Sequence, residues 1–444
     1  MWSDVSRALR WVLCVSVLPA VGLAACGRGA PSKAVMTVTP PVGLWDQPRT
    51  IVILHLSPGQ VVTVNARTPR QAGIWTASAT FKANDRGVVD LARDAPITGS
   101  YEGISPMGLF WSQHEVGTAS ATSHSRVTTL TVSAGTRQIA SATVTQLLRG
   151  PGVAERAETV SKVGFSGVYF ASSGSARRPA VVAWGGSEGG LVDTIPWAAL
   201  LASHGIPTLA LAYFDGPGLP CALNDIPLEY FVKAIAWMRR EPQVDPARVW
   251  LFSGSRGTEA ELLVAAHWPG LAHGVVAEAP SSVVYDAYPG QCQPKGSAAW
   301  TLHGRPVPHD EVVLTSAATY NRDGSVNEVS AFADGLGLPS ANDARIPVNR
   351  IEGPVLLISG ADDQLWPSDT YAAQIMSGLG SDRAIHQHLN YPDAGHIVLD
   401  VPYTPPVIET PGPRGRINLG GSAAADEAAH LSDWPATINF ITHH

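Results

Sequence analysis

The stretch from Arg248 to Ala266 constrains this 444-residue chain more than any other. Arg248 to Phe252 (RVWLF) is a short apolar run of strand character, Ser253 to Gly257 (SGSRG) is a turn of small residues, and Thr258 opens a run of good helix formers. Strand, turn and helix meet at Ser255. A serine at the apex of so sharp a turn has its hydroxyl lifted clear of the sheet edge, and the positions two before and two after it must be very small. Gly257 meets that demand, whereas Ser253 stands where glycine is the common choice, a sterically mild departure. In a chain rich in alanine, glycine and serine such a five-residue pattern also arises by chance, so its meaning depends on its surroundings.

Those surroundings alternate strand and helix. PAVVAWGG is a buried-type strand ending in glycine, WAALLASHG a helix with a glycine stop, IPTLALAYF the next strand and LEYFVKAIAWMRR an amphipathic helix; HGVVAEAP and PVLLISG follow as strands, YAAQIMSGL as a helix and IHQHLNY as a last strand. This order calls for a mostly parallel sheet with flanking crossover helices, an α/β-hydrolase domain, over residues 150–444. The closing helix, DEAAHLSDWPATINFI, carries Pro435 and is expected to kink or split there. Residues 146–178 are transitional, with a possible hairpin at VGFSGVYFASSG. Residues 281–350 lose the periodic pattern in a Pro/Gly/polar stretch, which in this fold is expected to form a lid-like insertion over the mouth of the site.

Ahead of this lies an all-β texture over residues 38–149. IVILHL, VVTVNA, IWTASATF and TTLTVS are short β-branched or alternating runs punctuated by turn signals such as Ser57-Pro58-Gly59, which suggests a small antiparallel sandwich. Within it, SYEGISPMGLFWS (residues 100–112) is unusually aromatic. It is expected to be a core strand preceded by a turn, the alternative being a surface leaning on the second domain.

The N-terminus has a different character. Arg7 and Arg10 precede the apolar run WVLCVSVLPAVGLAA, which ends at Leu23-Ala24-Ala25-Cys26, the layout of a secretory signal over residues 1–25 with small residues at the cleavage site. Cys26 directly after Leu-Ala-Ala resembles a bacterial lipobox, so the sequence predicts a lipid-anchored mature terminus at Cys26, a linker over 26–37 and a cell-envelope location. Beyond Cys14 and Cys26 only Cys221 and Cys292 remain; they either pair or are unrelated thiols. A net charge of −7 spread without runs leaves no footprint for nucleic acid.

A serine is inert at neutral pH unless a base takes its proton and a carboxylate orients that base. In α/β-hydrolases the partners follow in the order Ser, acid, His, on loops after the later strands. After PVLLISG the loop Ala361-Asp362-Asp363 offers two acids, and after the last strand Asp393-Ala394-Gly395-His396 offers a histidine. The expected triad is Ser255, Asp363 and His396, with the roles of Asp362 and Asp363 open to exchange. The oxyanion would be held by the backbone N–H of Arg256, at a helix N-terminus, and by that of Ser187 in the glycine loop Gly185-Gly186-Ser187-Glu188-Gly189-Gly190. That loop lacks both the dinucleotide spacing and a phosphate-loop lysine, and no metal motif is present, so neither cofactor nor metal is expected.

The segments SYEGISPMGLFWS, AYF with PLEYFVKAIAWM, SGSRGTEAELLV, ISGADDQLWPSDTYA, YPDAGH and NLGGSAAADEAAHLSDWPATINF, in this order, resemble the acyl-CoA thioesterase / bile acid-CoA:amino acid N-acyltransferase family. The resemblance covers nearly the whole chain beyond the signal. It implies an immunoglobulin-like N-terminal domain, an α/β-hydrolase domain and acyl-thioester chemistry, with nucleophile, acid and base at Ser255, Asp363 and His396. Ser253 and Arg256 stand where the family tends to have glycine and lysine. The serine favours hydrolysis, since the resembling acyltransferases use cysteine. An exported lipoprotein fits poorly with intracellular CoA thioesters, which leaves an envelope carboxylesterase or a non-catalytic binding lipoprotein as alternatives to a hydrolase of acyl thioesters.

Overall fold

The computed structural model describes residues 33–70, 73–118, 125–174, 176–312, 319–333, 342–380, 385–412 and 415–444. The expected signal and Cys26 lie outside the described residues. In the N-terminal part every second residue points inward: Val62, Val64, Ala66 and Thr68 are buried along Val61–Pro69, and Ile51 and Ile53 along Thr50–Leu54. The first strand belongs to a seven-stranded sheet and the second to a three-stranded one. Their inward aliphatic side chains, with Phe81 and Leu130, share one apolar cluster. Tyr101, Leu109, Phe110 and Trp111 join it, so residues 100–112 do serve the core, but through a short helix, Gly108–Trp111, rather than a strand. Gly108 explains the difference: a Cβ there would lie 2.3 Å from the Tyr101 ring, which can cover the helix only because that side chain is missing.

The larger sheet has eight strands, numbered here along the chain: β1 (Val153–Glu158), β2 (Ser166–Ser172), β3 (Arg178–Trp184), β4 (Thr208–Ala212), β5 (Val244–Gly254), β6 (Gly274–Glu278), β7 (Val355–Gly360) and β8 (His386–Tyr391). Their order is β1-β2-β4-β3-β5-β6-β7-β8. β2 runs antiparallel to both neighbours and the remaining pairs are parallel. The hairpin is thus built from β1 and β2, and VGFSGVYFASSG supplies only its second arm. β4, β6 and β7 are buried along their whole length, as expected of strands covered on both faces.

Alternate residues of one strand feed two cores. Val182, Trp184 and Leu251 pack on the side of helices α2 (Leu228–Met238), α3 (Gly257–His267) and α4 (Ser368–Gly378). Val181, Ala183, Trp250 and Phe252 pack on the side of α1 (Thr194–Ser203) and α5 (Ala423–His443). α1 stops where its sequence says it should. Gly205 has φ of +87°, Ile206 N–H donates to the Leu201 carbonyl at 2.9 Å and Gly205 N–H to that of Ala202 at 3.0 Å, the paired bonds of a Schellman end. α5 runs through Pro435 as one helix, so it is not split there. Leu431, whose carbonyl Pro435 cannot serve, is 43% exposed, so the missing bond falls on the wet side of the helix.

Candidate active site

β5 ends at Gly254 and α3 begins at Gly257, leaving two residues to reverse the chain. Ser255 is forced to φ of +52°, a left-handed conformation rare for serine, and its N–H is fixed to the Glu278 carbonyl at 3.0 Å. The neighbours have no room for side chains. A Cβ on Gly254 would lie 2.3 Å from Glu278 Oε2, and one on Gly257 2.3 Å from the Gly185 carbonyl oxygen. Ser253, where glycine is usual, is fully buried and hydrogen-bonds Glu261 of α3. Burial pushes the Glu261 carboxyl well above the ordinary range, so the extra hydroxyl at 253 serves a polar group sealed inside the fold.

The loops after β7 and β8 bring two more of the expected residues to this turn. His396 Nε2 lies 2.9 Å from Ser255 Oγ, and His396 Nδ1 lies 2.9 Å from Asp363 Oδ2. With Nδ1–H directed at the carboxylate, Nε2 is left to accept from the serine hydroxyl. The other oxygen of Asp363 accepts the N–H groups of Leu365 and Trp366 at 2.9 and 3.2 Å, and the Trp366 ring stands edge-on to the imidazole with centroids 5.5 Å apart. Asp362 is turned elsewhere and accepts the Gly421 N–H at 3.0 Å.

That last contact belongs to a tie the sequence did not announce. His396 N–H donates to the Leu419 carbonyl at 2.7 Å, and Gly395 N–H to Asp426 Oδ1 at 2.8 Å. Gly420 has φ of +82°, and a Cβ on it would fall 1.7 Å from the Asp362 carbonyl oxygen. Asn418-Leu419-Gly420-Gly421 therefore acts as a clasp between the acid and histidine loops.

Ser187 and Arg256, the expected oxyanion donors, flank Ser255 from two sides. The Tyr213 hydroxyl donates to the carbonyls of Gly185 and Gly186 at 3.1 and 2.6 Å. In a planar trans peptide the N–H points opposite to the C=O, so the Ser187 N–H faces away from Tyr213, and Ser187 is among the residues that line the cavity. Gly186 N–H is already occupied by both carboxyl oxygens of Glu188, at 2.8 and 2.9 Å. The Arg256 backbone sits at the start of α3, while its side chain turns inward, to Glu259 Oε1 at 2.6 Å and to the Tyr285 and Asp286 carbonyls at 3.1 and 2.7 Å. Glu259 also accepts from Trp300 Nε1 at 2.7 Å, so α3 is bolted to the segment after β6 through a wholly buried ion pair.

A cavity of about 680 Å³ opens over Ser255 and His396. Trp197, Leu399, Val401 and Val407 make its wall apolar, and Tyr288 borders it. Cys221 and Cys292 are joined, which ties the loop after β4 to the segment carrying Tyr288. Trp45, Arg70 and Arg126, from the N-terminal sheets, reach the same cavity. Nothing in the local sequence around those three marks them; their place is set by how the two sheet systems pack.

Comparison with known proteins agrees with this architecture. Residues 226–444 match the family described as BAAT / Acyl-CoA thioester hydrolase C terminal, and residues 46–159 match the Acyl-CoA thioester hydrolase/BAAT N-terminal region. Mouse acyl-coenzyme A thioesterase 6 is 30% identical, over 89% of this chain and 93% of its own length. Mouse peroxisomal succinyl-coenzyme A thioesterase is 28% identical over 90% and 94%, and mouse bile acid-CoA:amino acid N-acyltransferase 28% over 93% and 98%. These relatives correct one expectation. A bacterial cell-envelope lipoprotein does not fit a chain whose relatives are mouse enzymes, one of them named as peroxisomal. An apolar run followed by cysteine is too small a pattern to outweigh similarity over 89% to 93% of the chain.

Proposed function

The chain belongs to the acyl-CoA thioester hydrolase / bile acid-CoA:amino acid N-acyltransferase family, and on that premise we propose that it hydrolyses an acyl thioester through Ser255, His396 and Asp363. The observation that carries the reading is the pair of 2.9 Å contacts linking Ser255 Oγ, the two imidazole nitrogens and Asp363. His396 Nε2 takes the hydroxyl proton as Ser255 Oγ bonds to the thioester carbonyl carbon, and Asp363 offsets the imidazolium charge. The carbonyl oxygen becomes an oxyanion held by the Arg256 and Ser187 N–H groups. Collapse expels the thiolate, which leaves as the thiol with the proton from His396. Water, deprotonated by the same histidine, then attacks the acyl-serine, and the free acid departs as Ser255 regains its proton.

Residues 150–444 make up the catalytic domain in this reading, with 281–350 as its lid; the contacts of Arg256 and the position of Tyr288 support the latter. Residues 38–149 form the immunoglobulin-like domain, a reading supported by two sheets around one cluster. Serine rather than cysteine as nucleophile favours water over an amino acid as acceptor. The test is CoA release from acyl-CoA, read as free thiol, with wild type and Ser255→Ala. The substitution is expected to lower kcat by about 10⁴-fold or more while Tm stays within a few degrees. Undiminished turnover would falsify the assignment.

A further inference from the structure

Two arginines that this chemistry does not use face the cavity above Ser255. Arg70 follows the strand Val61–Pro69, and Arg126 opens the strand Arg126–Ala134; both line the cavity that Ser255 and His396 line. Each guanidinium is braced by a tryptophan: Arg126 lies over the Trp45 ring, 3.3 Å from its centroid, and Arg70 over Trp75 at 4.5 Å. Arg70 Nη2 also donates to Gln113 Oε1 at 3.0 Å, and Gln113 is itself held by Thr68 Oγ1 at 2.9 Å. The two planes are thus oriented before anything binds.

Their charges are not neutralised in kind. Arg126 Nη1 and Arg70 Nε are shut off from water and have no hydrogen-bond partner among the described residues. Asp400, on the wall of the same cavity, acts on Arg126 as an opposing charge. Burial, and after it the Arg70 charge, pull Arg126 well below the ordinary arginine value, and burial lowers Arg70 to about 10. Two like charges desolvated side by side cost stability unless an anion completes them. A braced guanidinium on a cavity wall matches the planar oxygens of a carboxylate or phosphate.

We propose that Arg70 and Arg126 form an anion subsite for a negatively charged group of the substrate, presented to the catalytic domain by the N-terminal sheets. This rests on the reading of Ser255 as nucleophile. The anion is either a carboxylate at the far end of the acyl chain or a phosphate of the leaving group, and the two are separable by experiment.

KM and kcat are measured for wild type and Arg126→Gln on three thioesters: hexanoyl-CoA, adipoyl-CoA (the ω-carboxylate counterpart of matched length) and S-hexanoyl-N-acetylcysteamine, which has neither phosphate nor carboxylate. A KM increase of about tenfold or more confined to adipoyl-CoA assigns the acyl carboxylate. An increase on both CoA substrates that spares the cysteamine thioester assigns the phosphates. No change on any substrate, or the same change on all three, overturns the subsite. Arg70→Gln is read in the same way should Arg126→Gln not yield folded protein, as judged by Tm. Turnover of the uncharged thioester by wild type and its loss in Ser255→Ala report on the triad separately, so failure of the subsite is not confused with failure of the catalytic reading.

Discussion

Asp362 and Asp363 are the same residue type one position apart, and their surroundings give them different tasks. Asp363 is 7% exposed, faces His396 Nδ1 and has its second oxygen filled by two backbone N–H groups. Asp362 is exposed and holds Gly421. Asp363→Asn would present an amide that can donate to Nδ1 and so favour the wrong imidazole tautomer. Its kcat on acyl-CoA is expected to fall by about 10³- to 10⁴-fold. Asp362→Asn keeps an oxygen for the Gly421 N–H and is expected to stay within a few-fold of wild type. Equal losses in steady-state assays of the two variants would show that the acid works through the loop rather than through the histidine.

At the scale of elements, the strand-turn-helix and the succession of strands and helices along the chain were legible because they rest on local signals: small residues at the turn, glycine stops, and apolar runs of strand length. The clasp at 418–421 was not legible, because a glycine pair in a loop says nothing of what its backbone will touch. The Ser253 departure was legible as a departure but not as a purpose, since its partner Glu261 lies on the next element. That pairing yields a prediction opposite to the one a pattern would give. Ser253→Gly restores the common elbow sequence, yet it takes one hydrogen bond from a buried carboxyl group, which keeps its backbone donors, and adds backbone entropy to the unfolded chain. Stability from urea unfolding is expected to fall by about 1–3 kcal/mol, with kcat changed only a few-fold. A gain in stability would mean that the Glu261 contact contributes nothing.

For the whole molecule, the mostly parallel sheet was readable and the way it meets the N-terminal sheets was not. That contact brings Trp45, Arg70 and Arg126 to a cavity whose floor lies in the other sheet system, and it buries acids around α5. Asp426 and Glu427 are 1% and 2% exposed; burial is the first cause that raises their pKa values, to about 7 and about 8. Backbone N–H donors from Gly395 and Tyr403 oppose the rise without cancelling it. Such groups favour the folded state in their protonated form. Their contribution is complete below the unfolded carboxyl range, near pH 4, and is lost as pH rises through the folded values, because there the unfolded chain has released protons that the folded chain retains. Tm is therefore expected to decline by several degrees between about pH 5 and pH 8. Glu427→Gln keeps an acceptor for the Tyr403 N–H but removes the ionisation, so its Tm should fall less steeply over the same window and exceed that of wild type at pH 8. Parallel Tm-against-pH curves for the two proteins, measured by scanning calorimetry in buffers of matched ionic strength, would show that Glu427 does not set the slope.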